Sequence, residues 1–181
     1  RRGRRTGRPT RRRILERLRQ GPLPVGAIAE EEGAKLAGRL DLDKDPELKK
    51  LVDELTAIDK DPAVAGTPAE ASKHHLRRAD QLEKIVARMK PEDRDPWIRQ
   101  VADSLAGAAQ SGKDADPAGM LRLTALAEQL AKALPGGNLA AYVVFRQLQA
   151  DYAQKISKPG EDFAKIQLDW IAKLTQFVTS Y

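Results

Sequence analysis

Proline and glycine divide residues 41–181 into segments of similar length, and this punctuation constrains the fold more than any other feature of the sequence. Proline breaks a helix interior but fits a helix's first turn, so each break also marks a predicted helix start. The predicted starts fall near residues 46, 68, 91 or 95, 117, 138 and 161. Between the breaks, apolar residues recur at helical spacing and do not alternate as they would in a strand. The sequence therefore predicts an all-α fold.

Capping residues support these starts. Asp45 precedes Pro46, and an acidic residue in that position typically caps a helix whose first residue is proline. Thr67 and Glu70 have the spacing of a capping box. Asn138 follows a Pro-Gly-Gly break and is predicted to cap the fifth helix, and the sixth is predicted to run from residue 161 to the end.

Short breaks between helices of similar length favour antiparallel neighbours. We expect about six to eight antiparallel helices, arranged as a helical bundle or as a tetratricopeptide-like stack. The expected domains are a disordered basic arm at 1–10, a short helix-turn-helix-like pair at 11–40, and an all-α domain at 41–181. The last pattern stops inside an apolar helical run, so we expect this domain to be truncated at its C-terminal end.

Positive charge is concentrated in the first twenty residues. These carry ten arginines against one acid, a net charge of +9, and the whole chain has a net charge of +6, so residues 21–181 have a net charge of −3. Clustered arginine attracts any polyanion by releasing its counterions. The sequence predicts a disordered arm open to non-specific nucleic-acid contact through Arg1, Arg2, Arg4, Arg5, Arg8, Arg11, Arg12 and Arg13.

The inventory of reactive side chains is small. The chain has no cysteine, so it has no disulfide, thiolate metal site or thiol redox chemistry of its own. It also has no glycine-rich phosphate loop, GxSxG elbow or HExxH motif. We therefore expect no catalytic residue, no cofactor and no metal ligand in this chain. No stretch approaches the ~20 continuous apolar residues of a membrane helix, so no membrane insertion is expected.

Two patterns resemble metal sites and fail on spacing. His74 and His75 are adjacent, so on a helix they point about 100° apart and do not chelate one ion. We expect two solvated or half-buried histidines. Asp41, Asp43 and Asp45 begin like a calcium loop, but the glycine and glutamate that such a loop needs later are missing. These acids are better explained as partners of a helix N-terminus.

The most organised apolar stripe lies in the last predicted helix. Phe163, Trp170 and Phe177 are seven residues apart, a spacing that keeps them on one face. One interpretation is a docking face or a dimer seam. The other is that the stripe is the inner face of the last core helix, with the aromatic residues of the preceding helix as its packing partners.

Two longer stretches resemble a known family: "HHLRRADQLEKIVARMKPEDRDPWIRQVADSLAGAAQ" and "GGNLAAYVVFRQLQADYAQKISKPGEDFAKIQLDWIAKLTQFVTSY". They are similar to the helical region that precedes the thioredoxin-like (redoxin) domain of exported bacterial thiol-disulfide oxidoreductases of the TlpA-like kind. The resemblance covers residues 41–181. It implies a spacer, docking or assembly role beside a CxxC-bearing domain, and an exported or periplasmic location. The parent protein would then be a thiol-disulfide oxidoreductase.

A second resemblance covers residues 8–33. The stretch "RRRILERLRQGPLPVGAIAEE" is similar to the start of winged helix-turn-helix repressors of the ArsR kind. It implies DNA binding by a cytoplasmic regulator. A base-reading helix with polar side chains is expected next, but "GAKLAGRLDLDKDPELKK" follows and turns acidic.

The leading hypothesis from the sequence is thus a non-catalytic helical docking module that supports a thioredoxin-like domain outside this chain. The alternative is a transcriptional regulator with an N-terminal helix-turn-helix and a helical body that dimerises.

Overall fold

The computed structural model describes residues 33, 35–38, 40, 42–62, 66–111 and 116–181, and these contain helices and no strand. The all-α prediction is therefore confirmed for this part of the chain. A 3-10 turn over Pro91–Asp93 precedes the third of the six α-helices. The helices are α1 (Pro46–Asp59), α2 (Pro68–Arg88), α3 (Asp95–Gln110), α4 (Pro117–Ala133), α5 (Asn138–Ile156) and α6 (Phe163–Ser180).

The predicted caps begin two of these helices as expected. The Asp45 carboxylate accepts a hydrogen bond from the Leu48 amide at 2.9 Å, which satisfies one of the unpaired amides of α1. At α2 the capping box is complete, because Thr67 Oγ1 accepts from the Glu70 amide and the Glu70 carboxylate accepts from the Thr67 amide.

Two predicted boundaries are wrong by one or two residues. Asn138 is the first residue of α5 and does not cap it, because Gly137 occupies the cap position with extended backbone. The last helix begins at Phe163, where Asp162 accepts hydrogen bonds from the Ala164 and Lys165 amides. The helix begins here because the Asp162 carboxylate satisfies amides of the first turn that would otherwise lack a partner.

The helix α3 is the central element, and it contacts α2, α4 and α5. Every residue from Val101 to Ala109 is buried, and five of these nine are alanine or glycine. Small side chains on all sides let three helices approach α3 closely. Around it the core contains Leu82, Ile85, Trp97, Leu105, Leu123 and Val143.

A buried arginine joins the end of α1 to this centre. The Arg78 side chain is 1% exposed, and its Nε donates to Asp59 at 2.7 Å. Its terminal nitrogens donate to Ser104 at 2.8 Å and to Gln100 at 3.2 Å. A buried charge with these partners links α1, α2 and α3, and its hydrogen bonds offset the cost of burying it.

The segment before α1 also contacts the core. Leu36, Ala37, Leu40 and Leu42 are partly buried against it. The predicted arm at 1–10 and most of the predicted helix pair at 11–40 lie outside the described residues. The tetratricopeptide-like stack and the proposed domain boundaries remain predictions.

Candidate docking site

The predicted docking residues of α6 lie in two environments. The Trp170 ring stacks on Tyr152 of α5 with centroids 4.8 Å apart, and the Phe177 ring packs on Phe145 at 5.7 Å. Both are half-buried, whereas Phe163 is 60% exposed at the start of the helix. Trp170 and Phe177 thus pack α6 against α5, and Phe163 faces solvent.

Four charged side chains reinforce the same contact. Lys155 donates to Asp169 at 2.7 Å and lies 3.2 Å from Asp151, and Lys173 donates to Asp151 at 2.6 Å and lies 3.2 Å from Asp169. The hydrogen bond from Lys155 lowers the pKa of the Asp169 carboxyl, and its bond to Asp169 raises the pKa of Lys155. Each charge in this network has two opposite partners, so the network presents little net charge to a ligand.

An open groove lies beside this network, between α4 and α6 and over α5. Its cavity volume is about 390 Å³, which falls within the range of binding pockets. Apolar side chains from the three helices and the terminal residue line it: Met120, Val144, Leu148, Phe177 and Tyr181. The neutral polar groups of Gln147, Gln176 and Ser180 lie around them, with the Asp151–Lys173 pair.

A mostly apolar groove without an unbalanced charge suits an apolar group of a partner. Ser180 and Gln176 are exposed residues of the last two turns of α6, so the groove is accessible from that side. Sequence reasoning singled out Phe177 here but missed Met120, Val144 and Leu148. Val144 and Leu148 are four residues apart on α5, but Met120 comes from α4, and no spacing in the sequence indicates that these two helices meet here.

A second polar cluster joins α3 to α5. The Asp103 carboxylate accepts from the Tyr142 hydroxyl at 2.7 Å and from Arg146 Nε at 2.6 Å, while the Arg99 guanidinium lies 4.5 Å from the Tyr142 ring centroid. Burial and the neighbouring Asp103 charge raise the pKa of Tyr142 above its ordinary value of about 10. The phenol remains a hydrogen-bond donor, and Arg146 balances the Asp103 charge, which is typical of a structural contact.

Of the two histidines predicted to be solvated or half-buried, His75 is half-buried and His74 is fully buried. His74 is 2% exposed, and neither ring nitrogen has a hydrogen-bond partner among the described residues. His75 is partly buried against Gly107, and burial, with the neighbouring His74 and Arg78, lowers its pKa to about 4. Within the described ranges, no three potential ligands lie close enough to hold a metal ion.

Of the acidic residues before α1, Asp45 interacts with the helix N-terminus as predicted. It caps α1 and also forms an ion pair with Arg88 at 3.1 Å. The Leu48 amide and Arg88 lower the pKa of the Asp45 carboxyl. The eight arginines predicted to contact polyanions lie outside the described residues. In the part of the chain that the structure covers, no helix has the length and apolar character needed to cross a membrane.

Comparison with known proteins gives no relative from which a role can be transferred. No protein-family model, no curated protein and no solved structure matches the chain.

Proposed function

We propose that this chain is a non-catalytic helical docking module that binds an apolar side chain of another protein domain in the groove between α4 and α6. The observation that carries the proposal is the groove of about 390 Å³ with apolar side chains from three helices. The most strongly bound side chains of protein interfaces fill pockets of this kind, from which water is excluded.

The charge balance of the groove favours an apolar group over an ionic ligand. Lys173 and Asp151 are 2.6 Å apart, so the two formal charges at the groove neutralise each other. The other polar lining groups are amides and hydroxyls, which suit backbone groups of a protein around an apolar anchor.

The class of partner comes from the sequence. The resemblance of residues 41–181 to the helical region of TlpA-like oxidoreductases implies a thioredoxin-like domain. The chain has no cysteine, so any thiol chemistry belongs to the partner. The described polar clusters support a role without catalysis, because Asp103 and Arg78 are occupied by structural contacts.

A pair of substitutions on α6 tests the groove. Ser180 lines it, whereas the adjacent Thr179 does not. Both hydroxyls donate to the carbonyl four residues earlier, at 3.0 and 2.9 Å, so both sites have the same local role in the helix. Ser180→Trp is expected to cover the groove with an indole ring, and Thr179→Trp serves as the matched control.

The measurement is calorimetric titration of the 181-residue chain with a purified thioredoxin-like domain of a bacterial exported oxidoreductase. We expect the wild type and Thr179→Trp to bind it, and Ser180→Trp to bind at least about tenfold more weakly. If the wild type does not bind, or if Ser180→Trp binds as well as the control, the proposal is wrong.

A further inference from the structure

A second apolar stripe on α6 has no partner in the described part of the molecule. It consists of Ala164, Leu168, Ile171, Thr175 and Val178, and all five are exposed. The exposed fractions of Leu168, Ile171 and Val178 are 69, 56 and 75%. These residues are separated by four, three, four and three positions, the spacing of a helix that pairs with another helix.

The stripe lies on a different side of α6 from both contacts described above. At 100° per residue, its centre is about 130° around the helix from Trp170 and Phe177, which pack on α5. The groove residues Gln176 and Ser180 lie on the opposite side of α6. A partner on the stripe would therefore leave the α5 contact and the groove unobstructed.

We propose that the stripe binds the same stripe of a second copy of this chain, with the two α6 helices antiparallel about a two-fold axis at Ile171. A symmetric dimer needs a surface that is complementary to itself. Reversal of the stripe about Ile171 places Ala164 against Val178 of the second copy, Leu168 against Thr175, and Ile171 against Ile171. Small residues thus face larger ones, and the stripe meets itself over its full length.

Charge distribution favours this occupant. None of the five stripe residues is charged, and Asp169 and Lys173 are directed to the α5 side, where they pair with Lys155 and Asp151. No like charges therefore meet at the seam, which would otherwise oppose self-association.

The expected area is below that of a standard specific interface. A helix of 18 residues is about 27 Å long and about 10 Å wide, so each copy presents a face of about 270 Å² and the α6 pair covers about 540 Å² in total, against the ~1,200 Å² at which standard interfaces begin. An interface of that size is weak and depends on concentration. We expect a dimer in the micromolar range.

The absence of cysteine from the chain permits a test of the geometry by single cysteine substitutions. Packed helix axes are about 8–10 Å apart and Cα atoms lie about 2.3 Å from each axis, so facing Cα atoms are about 3.4–5.4 Å apart. The upper part of that range allows a disulfide. Ile171→Cys is expected to cross-link to itself under oxidised glutathione. Leu121→Cys, at a leucine of α4 that is 69% exposed against 56% for Ile171, measures random collision.

The direction of pairing is tested with Ala164→Cys and Val178→Cys. A mixture of these two variants is expected to form cross-linked dimers about tenfold faster than either variant alone. If Ile171→Cys links no faster than Leu121→Cys, or if Ala164→Cys links mainly to itself, the antiparallel dimer is contradicted.

Sedimentation equilibrium gives an independent readout on the cysteine-free chain. From about 1 to 500 μM, a range that brackets a micromolar affinity, the wild type and Leu121→Lys are expected to dimerise. Ile171→Lys, which places two lysines at the two-fold axis, is expected to stay monomeric. If the wild type is monomeric and Ile171→Lys instead weakens binding of the thioredoxin-like domain, that domain occupies the stripe and the dimer proposal is overturned. The groove is judged separately by Ser180→Trp.

Discussion

Gly119 marks the closest approach of α4 to α3. A Cβ atom at this position would lie 2.9 Å from the Ala108 Cβ and 3.0 Å from the Ala109 backbone nitrogen. A backbone atom does not move aside as a flexible side chain does. The crossing of the two helices therefore depends on the missing methyl group.

We predict that Gly119→Ala lowers the free energy of unfolding by about 1–3 kcal/mol, because overpacking outweighs the ~1 kcal/mol by which alanine favours a helix. Urea denaturation measures the change. The exposed Ala125 of the same helix provides the control, since Ala125→Gly is expected to cost about 1 kcal/mol through propensity alone. A Gly119→Ala variant more stable than the wild type would contradict this view of the crossing.

His75 couples folding to pH. Its pKa is lowered from 6.5 to about 4 in the folded chain, mainly by burial. Above pH 6.5 both states are neutral at this site. As the pH falls from 6.5 towards 4, the unfolded chain gains a proton that the folded chain does not, so stability falls by up to about 1.4 kcal/mol per pH unit.

We predict that His75→Gln removes part of this acid sensitivity. Between pH 7 and pH 4.5 the wild type is expected to lose about 2 kcal/mol more stability than the variant, since the pKa difference spans most of this interval. Urea denaturation at both pH values gives the comparison. Equal losses for the two proteins would show that His75 does not titrate between folded and unfolded states as argued.

At the scale of the helices, sequence rules located the elements well where a side chain caps them. Asp45 and Thr67 begin α1 and α2 as predicted, because the hydrogen bonds that define these starts are local. The start of α5 was missed by one residue because a glycine, which has no capping side chain, takes the cap position.

The contacts of α6 were less predictable. Its aromatic residues at seven-residue spacing indicated an organised face, and the structure turns Trp170 and Phe177 towards α5. That choice depends on Tyr152 and Phe145, which are rings of another helix. The sequence did not predict the second stripe, because Ala164 and Thr175 are only weakly apolar. Their position beside exposed Leu168, Ile171 and Val178 is visible only in the structure.

Charge alone makes a prediction for residues 1–20, which lie outside the described residues. With ten arginines among residues 1–20, we expect the full chain to bind duplex DNA with a steep salt dependence. The logarithm of the binding constant should fall by about 0.9 for each phosphate contact per tenfold rise in salt. We also expect no preference between unrelated sequences.

Fluorescence anisotropy at several salt concentrations measures both properties, with a chain of residues 33–181 as the control expected not to bind. Strong preference for one duplex sequence would contradict generic phosphate attraction and favour the helix-turn-helix regulator instead.

At the scale of the whole molecule, α3 organises the core and α6 lies at its edge. The last helix packs mainly on α5, and Ile166 is its one buried residue. An edge helix with so much exposed surface has room for partners on two sides. The groove and the second stripe together predict an assembly of two copies of the module with two partner domains.

The central claim is that the groove between α4 and α6 receives a partner protein. The chain has two methionines, and only Met120 lines the groove, while Met89 is buried at the end of α2. NMR of the ¹³C-labelled methionine methyl groups during titration with the thioredoxin-like domain therefore carries its own control. The proposed function predicts that the Met120 signal shifts and saturates while the Met89 signal stays in place. An unchanged Met120 signal would contradict it.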